Sequence, residues 1–207
     1  MTIGIGGAGS KLALQLTEDA YIVNVSETEL NKLESSHKIL AALHGRTGQM
    51  RGSRKNPQIG RDAYASVKEE LRLLVRGDTI FSSTGGGTGN GIVAGLLDDI
   101  AGVDHIPPTE KSVFALILPY AKLEPSEFVN NTIRFLEDPL SAAIDSGNTG
   151  NIFLFSNRLK FESRVGEQAY NESLIASLKV FLAVPKKNET CRLLEGHIDY
   201  EDFGLYL

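Results

Sequence analysis

Two glycine clusters constrain this chain more than any other feature. Gly4, Gly6, Gly7 and Gly9 fall within six consecutive positions, and Gly85, Gly86, Gly87, Gly89 and Gly91 within seven. Together they hold nine of the 21 glycines in a chain of 207 residues. Glycine loses more conformational freedom on folding than any other residue, so a compact domain concentrates it where backbone must come close to something. Each cluster is short, adjoins an apolar segment and leads into a helical pattern, which excludes a collagen-like repeat and a flexible linker. What remains is a pair of phosphate-binding loops or a pair of ordinary tight turns.

The segments around the clusters alternate strand with helix, which predicts an α/β fold with a doubly wound, mostly parallel sheet. Ile3 and its neighbours form a first strand, and Ser10–Thr17 a first helix. Tyr21–Val25 is a buried strand, Glu27–Leu33 a short helix and Lys38–Leu43 a weaker strand. Residues 45–60 carry Gly45, Gly48, Gly52, Pro57 and Gly60 among Arg46, Arg51, Arg54 and Lys55, and read as a long loop. A helix is predicted over Asp62–Arg76, a strand over Thr79–Ser83 and a helix over Ile92–Ala101. Val113–Pro119 and Asn151–Ser156 are strands, Ser126–Leu136 is a helix, and Gly166–Val184 is a long helix stopped by Pro185.

Composition excludes several classes of function. One cysteine, Cys191, rules out a disulfide framework and a multi-cysteine zinc site, and fits a reducing cytoplasm. His37, His44, His105 and His197 lack metal-ligand spacing, so no metal-binding set is expected from the protein. The net charge of −5 argues against general nucleic-acid binding, and no apolar run reaches membrane-spanning length. The basic residues at 46–55 lack the interleaved aromatics of a nucleic-acid patch.

Gly4-Ile5-Gly6-Gly7-Ala8-Gly9 fits G-x-G-x-x-G at a strand-to-helix junction, where free N–H groups and the helix dipole favour an anion. Alone it leaves open a dinucleotide-dependent oxidoreductase, although the second strand ends in Asn24 rather than an acid. Thr84-Gly85-Gly86-Gly87-Thr88-Gly89-Asn90-Gly91 makes a second nest of N–H donors, with the Thr84 and Thr88 hydroxyls available to phosphate oxygens or hydrated Mg2+. A nucleoside triphosphate held between two loops needs such a second nest; a dinucleotide does not.

That second segment resembles the signature loop G-G-G-T-G-[ST]-G of the tubulin/FtsZ/TubZ GTPases, with Asn90 in the penultimate slot. Gly4–Ser10 resembles the family's first phosphate loop, which implies nucleotide contacts from Gly6, Gly7 and Ala8. Asn24-Val25-Ser26 is similar to the second loop, with Ser26 where FtsZ has an acid. Asn56-Pro57-Gln58-Ile59-Gly60-Arg61 resembles the N-P-x-I-G-R end of the third. By the same resemblance, Gly85, Gly86, Gly87, Thr88, Gly89 and Asn90 hold phosphates, Glu124 after Pro119-Tyr120 contacts the ribose, and Asn157 contacts guanine. An arginine that FtsZ carries near the ribose loop is not matched. Tyr170 and Asn171 open the long helix where the family places a stacking aromatic and a second guanine-reading asparagine, although the aromatic's usual slot holds Glu167.

Gly196–Phe203 resembles the family's catalytic loop, with Asp199 and Asp202 in its acidic positions and His197 in place of asparagine. In the family this loop completes the nucleotide site of the next subunit. The resemblance therefore implies a GTPase that binds GTP/GDP, with Mg2+ held mainly through phosphates and water, and assembles with itself head to tail. The reading divides the chain into a GTP-binding domain at 1–164, a core helix at 165–184 and a catalytic-loop segment at 185–207. Because the family continues into a second α/β domain, the chain is expected to be a fragment or a divergent member. A nucleotide-binding structural protein that does not hydrolyse stays open, with Asp199 and Asp202 as tail charges.

Overall fold

The computed structural model describes residues 1–43 and 52–182. Strand and helix alternate as β1 (Thr2–Ile5), α1 (Gly6–Leu16), β2 (Tyr21–Asn24), α2 (Glu27–Asn31), β3 (His37–Leu40), α3 (Pro57–Leu74), β4 (Thr79–Ser83) and α4 (Thr88–Ala101). There follow β5 (Val113–Leu118), α5 (Ser126–Phe135), a π-helical turn (Leu136–Leu140), α6 (Ser141–Asp145), β6 (Ile152–Ser156), α7 (Arg158–Glu162) and α8 (Glu167–Leu182). The six strands form one sheet in the order β3-β2-β1-β4-β5-β6, every pair parallel. This is the doubly wound α/β architecture expected from the alternation.

The central strands are covered on both faces, and the period of two decides which side chain meets which helix layer. Ile3, Ile5, Ile80, Phe114 and Leu116 pack with Ala63, Val67 and Leu71 of α3 and Ile92, Val93, Leu96 and Leu97 of α4. Phe81, Ala115 and Ile117 turn the other way, onto Leu12 and Ala13 of α1 and Leu174, Ile175 and Leu178 of α8. Burying each Ile, Leu or Phe stabilises the fold by about 1.5–3 kcal/mol.

Several boundaries differ from the sequence reading: α1 begins at Gly6 rather than Ser10 and α4 at Thr88 rather than Ile92, because the glycine clusters themselves form the first helical turns, and β3 ends at Leu40 rather than Leu43. The Asn56-Pro57-Gln58-Ile59-Gly60-Arg61 segment, read largely as loop, is the start of α3: the Asn56 side chain accepts from the Gln58 N–H at 3.0 Å, and Pro57 takes the first helical position. Gly60 serves packing rather than a turn, because a Cβ there would stand 2.5 Å from the Gly87 carbonyl oxygen of the loop before α4. Beyond Leu136, where the helix was expected to stop, the chain continues through the π turn into α6; Pro139 sits inside that widened turn. The short α7 behind Asn157 was not read at all.

The layer of α3 and α4 is also bound by polar groups. The Tyr64 hydroxyl donates to Asp99 Oδ2 at 2.7 Å, Lys68 Nζ donates to Asp99 Oδ1 at 2.8 Å, and Arg61 pairs with Asp98. Burial, reinforced by its bond to Asp99, pushes the Tyr64 phenol well above its ordinary value. For Asp99 burial acts upward as well, but the bonds from Lys68 and Tyr64 outweigh it and hold the carboxyl below the usual range. Among the described residues no helix is long and apolar enough to cross a membrane.

Candidate functional site

The strand order reverses between β1 and β4, which lie side by side. From β1 the chain passes to α1 on one face of the sheet, and from β4 to α4 on the other, leaving a crevice at the carboxyl ends of the strands where ligands of such folds bind. The two glycine clusters occupy that crevice's floor. Gly6 has φ +75°, and a Cβ on it would lie 2.9 Å from the backbone nitrogen of Gly89. The Ser82 hydroxyl donates to the Ile5 carbonyl at 3.2 Å, fixing the end of β4 to the end of β1.

The second cluster is locked from below. Thr84 is fully buried, and its hydroxyl, expected to be available to phosphate, donates instead to the Ile117 carbonyl at 3.1 Å and meets Thr132 Oγ1 at 2.8 Å. The Asn90 amide donates to the Thr84 carbonyl and, at 3.1 Å, to that of Asn131. Thr88 Oγ1 donates to Ser53 Oγ at 3.1 Å, and Gly87 lies against Ser53 and Asn56. Gly89 faces Ile5, Ser82 and Gly6. Part of the glycine excess therefore serves contact between elements, as at Gly9 against Phe81 and Gly91 against Pro57.

Asn24, also fully buried, donates from Nδ2 to Glu29 Oε2 at 2.8 Å and accepts at Oδ1 from the Ser26 N–H at 3.2 Å. Ser26 caps α2 by accepting from the Glu29 N–H at 3.3 Å. Glu29 in turn lies at the first loop, its Oε2 3.4 Å from where a Cβ on Gly7 would stand.

Above this floor a pocket of about 280 Å³ brings together Ala8, Gly85, Gly86, Glu124, Asn157, Tyr170 and Asn171 from the sequence-derived set. Gly6, Gly7, Asn24, Gly87, Thr88, Gly89 and Asn90 are not among its lining residues; they lie in the elements beneath and beside it. Asp199, Asp202, His197 and Cys191 lie outside the described residues. Glu124 is fixed from two sides: its Oε2 accepts from the Tyr120 N–H at 2.6 Å, and Asn157 Nδ2 donates to Oε2 at 3.1 Å and Oε1 at 3.3 Å. Tyr170 is buried, its hydroxyl donating to the Ser156 carbonyl at 3.0 Å; burial, helped by the charge of Glu124, pushes its phenol up to about 12. Asn171, 7% exposed, makes no side-chain hydrogen bond among the described residues. A pocket-lining amide with no hydrogen-bond partner among the described residues is suited to a base edge.

Sequence reasoning missed Phe128 and Lys160 in the lining. It left Glu167 without a role, whereas this carboxylate lines the pocket, bonds Lys11 Nζ at 2.7 Å and faces Lys160 Nζ at 3.9 Å. The hydrogen bond from Lys11 holds the Glu167 carboxyl below its usual range and ties the start of α8 to α1. These residues carry no motif; the packing of α5, α7 and α8 around the strand ends brings them in.

The backbone has close counterparts among solved structures. CetZ2 from Haloferax volcanii, a GTPγS-bound protofilament, superposes with a TM-score of 0.72 at 22% identity, over 94% of this chain and 61% of that one. The chain has the tubulin/FtsZ fold. An FtsZ W319Y mutant from M. jannaschii gives a TM-score of 0.67 at 22% identity over 90% of this chain and 57% of that one. The protofilament of TubZ from bacteriophage PhiKZ gives 0.63 at 16% identity, over 87% of this chain and 55% of that one. The chain thus spans less than two thirds of the length of these tubulin/FtsZ-fold structures. No protein-family model and no curated protein sequence matches it.

Proposed function

We propose that the chain binds GTP in the pocket over the two glycine clusters and hydrolyses it in a site completed by a second copy. The observation that carries this reading is that Asn171 and Asn157 line one pocket together with Gly85 and Gly86. Backbone donors at the floor suit a phosphate chain, Glu124 suits ribose hydroxyls, and the pocket-lining Asn171 amide suits a guanine edge. Gly6, Gly7, Ala8, Gly87, Thr88 and Gly89 shape the phosphate floor, while Asn24 and Asn90 hold its loops in place. The dinucleotide alternative loses ground, because the end of β2 is occupied by the bonds of Asn24 to Glu29 and Ser26.

Among the described residues no group of three or more His, Cys, Asp or Glu forms a metal cage. In this reading Mg2+ would be held mainly through phosphate oxygens and water and would offset phosphate charge, and the Glu29 carboxylate, bonded to Asn24, lies beside Gly7.

Asp199 and Asp202, assigned from sequence resemblance, orient the water that attacks the γ-phosphate in the next subunit. Phosphoryl transfer depends mainly on positioning and electrostatics, so a carboxylate delivered across a contact makes hydrolysis report on assembly. Such head-to-tail contacts are heterologous and, where they do not close, yield filaments. The reading places the protein in the cytoplasm. The test is phosphate release from GTP and ATP across protein concentration: specific activity on GTP should rise steeply, and Asp199→Ala should keep GTP affinity while abolishing turnover. A flat concentration profile rules out the shared site and leaves a binding protein that does not hydrolyse.

A further inference from the structure

Building on that reading, we propose that Lys55 is the cation that meets the nucleotide's phosphate chain, held in place for it by the ring of Phe128. Among the described residues the pocket presents two carboxylates, Glu124 and Glu167, and one lining cation, Lys160, which faces Glu167 at 3.9 Å. Lys11 is likewise paired with Glu167. Beyond the charge that Mg2+ would supply, a polyphosphate entering this pocket therefore gains from positive charge outside the lining. Backbone donors alone supply dipoles, not a compensating charge.

Lys55 is placed to give it. Its Nζ lies 4.9 Å from the centroid of the Phe128 ring, and it forms no ion pair with a carboxylate among the described residues. Phe128 lines the pocket and packs against Gly85, where a Cβ would come within 2.9 Å of the Phe128 Cβ. A cation over an aromatic face is held by the ring's quadrupole without having its charge cancelled, so the ammonium stays available to an anion.

The backbone beneath it is set for this placement. Arg54 and Lys55 both have positive φ, 49° and 64°, a conformation that non-glycine side chains avoid unless the surroundings impose it. Asn131 braces it: its amide donates to the Lys55 carbonyl at 2.9 Å and to the Gly85 carbonyl at 3.0 Å. One side chain of α5 thus fixes the lysine's backbone to the phosphate-facing loop, while Phe128, one turn earlier on the same helix, carries its ammonium. Asn56, the next residue, caps α3 and so ties the segment to the start of that helix.

The experiment is a ladder of ligands, guanosine, GMP, GDP and GTP, titrated into the full chain and its variants by calorimetry at two salt concentrations. Lys55→Met should weaken GTP by about tenfold or more, the scale of a hydrogen bond to a charged group. GDP should lose less, guanosine should be unaffected, and the salt dependence of GTP binding should flatten. Lys55→Arg should keep most of the affinity, and Phe128→Leu should weaken GTP in wild type but add little in the Lys55→Met background. Equal losses for guanosine and GTP would make Lys55 merely structural and overturn the proposal, as would unchanged GTP affinity in Lys55→Met. A wild-type chain that binds no guanine nucleotide would instead remove the reading beneath it.

Discussion

Gly6 and Gly89 meet backbone to backbone: a Cβ on the first would lie 2.9 Å from the nitrogen of the second, and Gly6 has φ +75°. The first turns of α1 and α4 therefore share one floor with no side chain between them. Gly6→Ala must move one loop away from the other while holding alanine in a left-handed conformation. The strain is about 1–3 kcal/mol, with a comparable cost for overpacking. Urea unfolding should show that loss. Gly7→Ala is the control, since it meets only the Glu29 carboxylate at 3.4 Å and should unfold near the wild-type midpoint.

Asn171 gives a test of base selectivity that leaves the fold alone. Its amide has no protein partner to lose among the described residues, so Asn171→Ala should retain a near-native thermal midpoint. Its effect should fall on discrimination. A site built to bond an amide or carbonyl edge rejects analogues lacking it, and removing the amide should narrow the GTP-over-ATP preference by about tenfold or more. Competition binding with a fluorescent guanine nucleotide reads this out.

Asp99 links acid stability to the α3–α4 layer. Its folded carboxyl is held below its unfolded value, so its contribution is present above the ordinary carboxylate range and is lost as pH falls through the lowered folded value. Asp99→Asn should destabilise the protein by about 1–3 kcal/mol at neutral pH, the cost of losing bonds to Lys68 and Tyr64. The gap between wild type and variant in denaturant titrations should close as pH is lowered below about 4.

Tyr170 works in the opposite direction. An unfolded tyrosine ionises near pH 10, while the folded phenol is pushed up to about 12 by burial and the Glu124 charge. Stabilisation from Tyr170 should be constant below about pH 10 and fall between about 10 and 12, where the unfolded chain gives up its proton first. Tyr170→Phe should cost about 0.5–1.5 kcal/mol at neutral pH through the lost bond to the Ser156 carbonyl. Its disadvantage should shrink across that alkaline window.

The order of strands and helices was legible because apolar runs such as Val113–Leu118, buried along their whole length, can only be central strands of a covered sheet. The glycine clusters marked the crevice because their neighbours placed them at strand-to-helix junctions. What stayed hidden was non-local. Gly60 resembled a loop glycine until α4 was seen against it, and the chain beyond Leu136 stays helical because a π turn accommodates Pro139. Asn90 stood in a motif slot, yet its amide bonds Thr84 and Asn131. Phe128 and Lys55 met only when α5 was folded beside the loop that precedes α3.

Calorimetric titration of the full chain with GTP and ATP addresses the pocket itself. One GTP should bind per chain, with ATP weaker by about tenfold or more and displaced by guanine nucleotides. No binding of guanine nucleotides, or ATP binding as tightly as GTP, would contradict a guanine-reading site over the two glycine clusters.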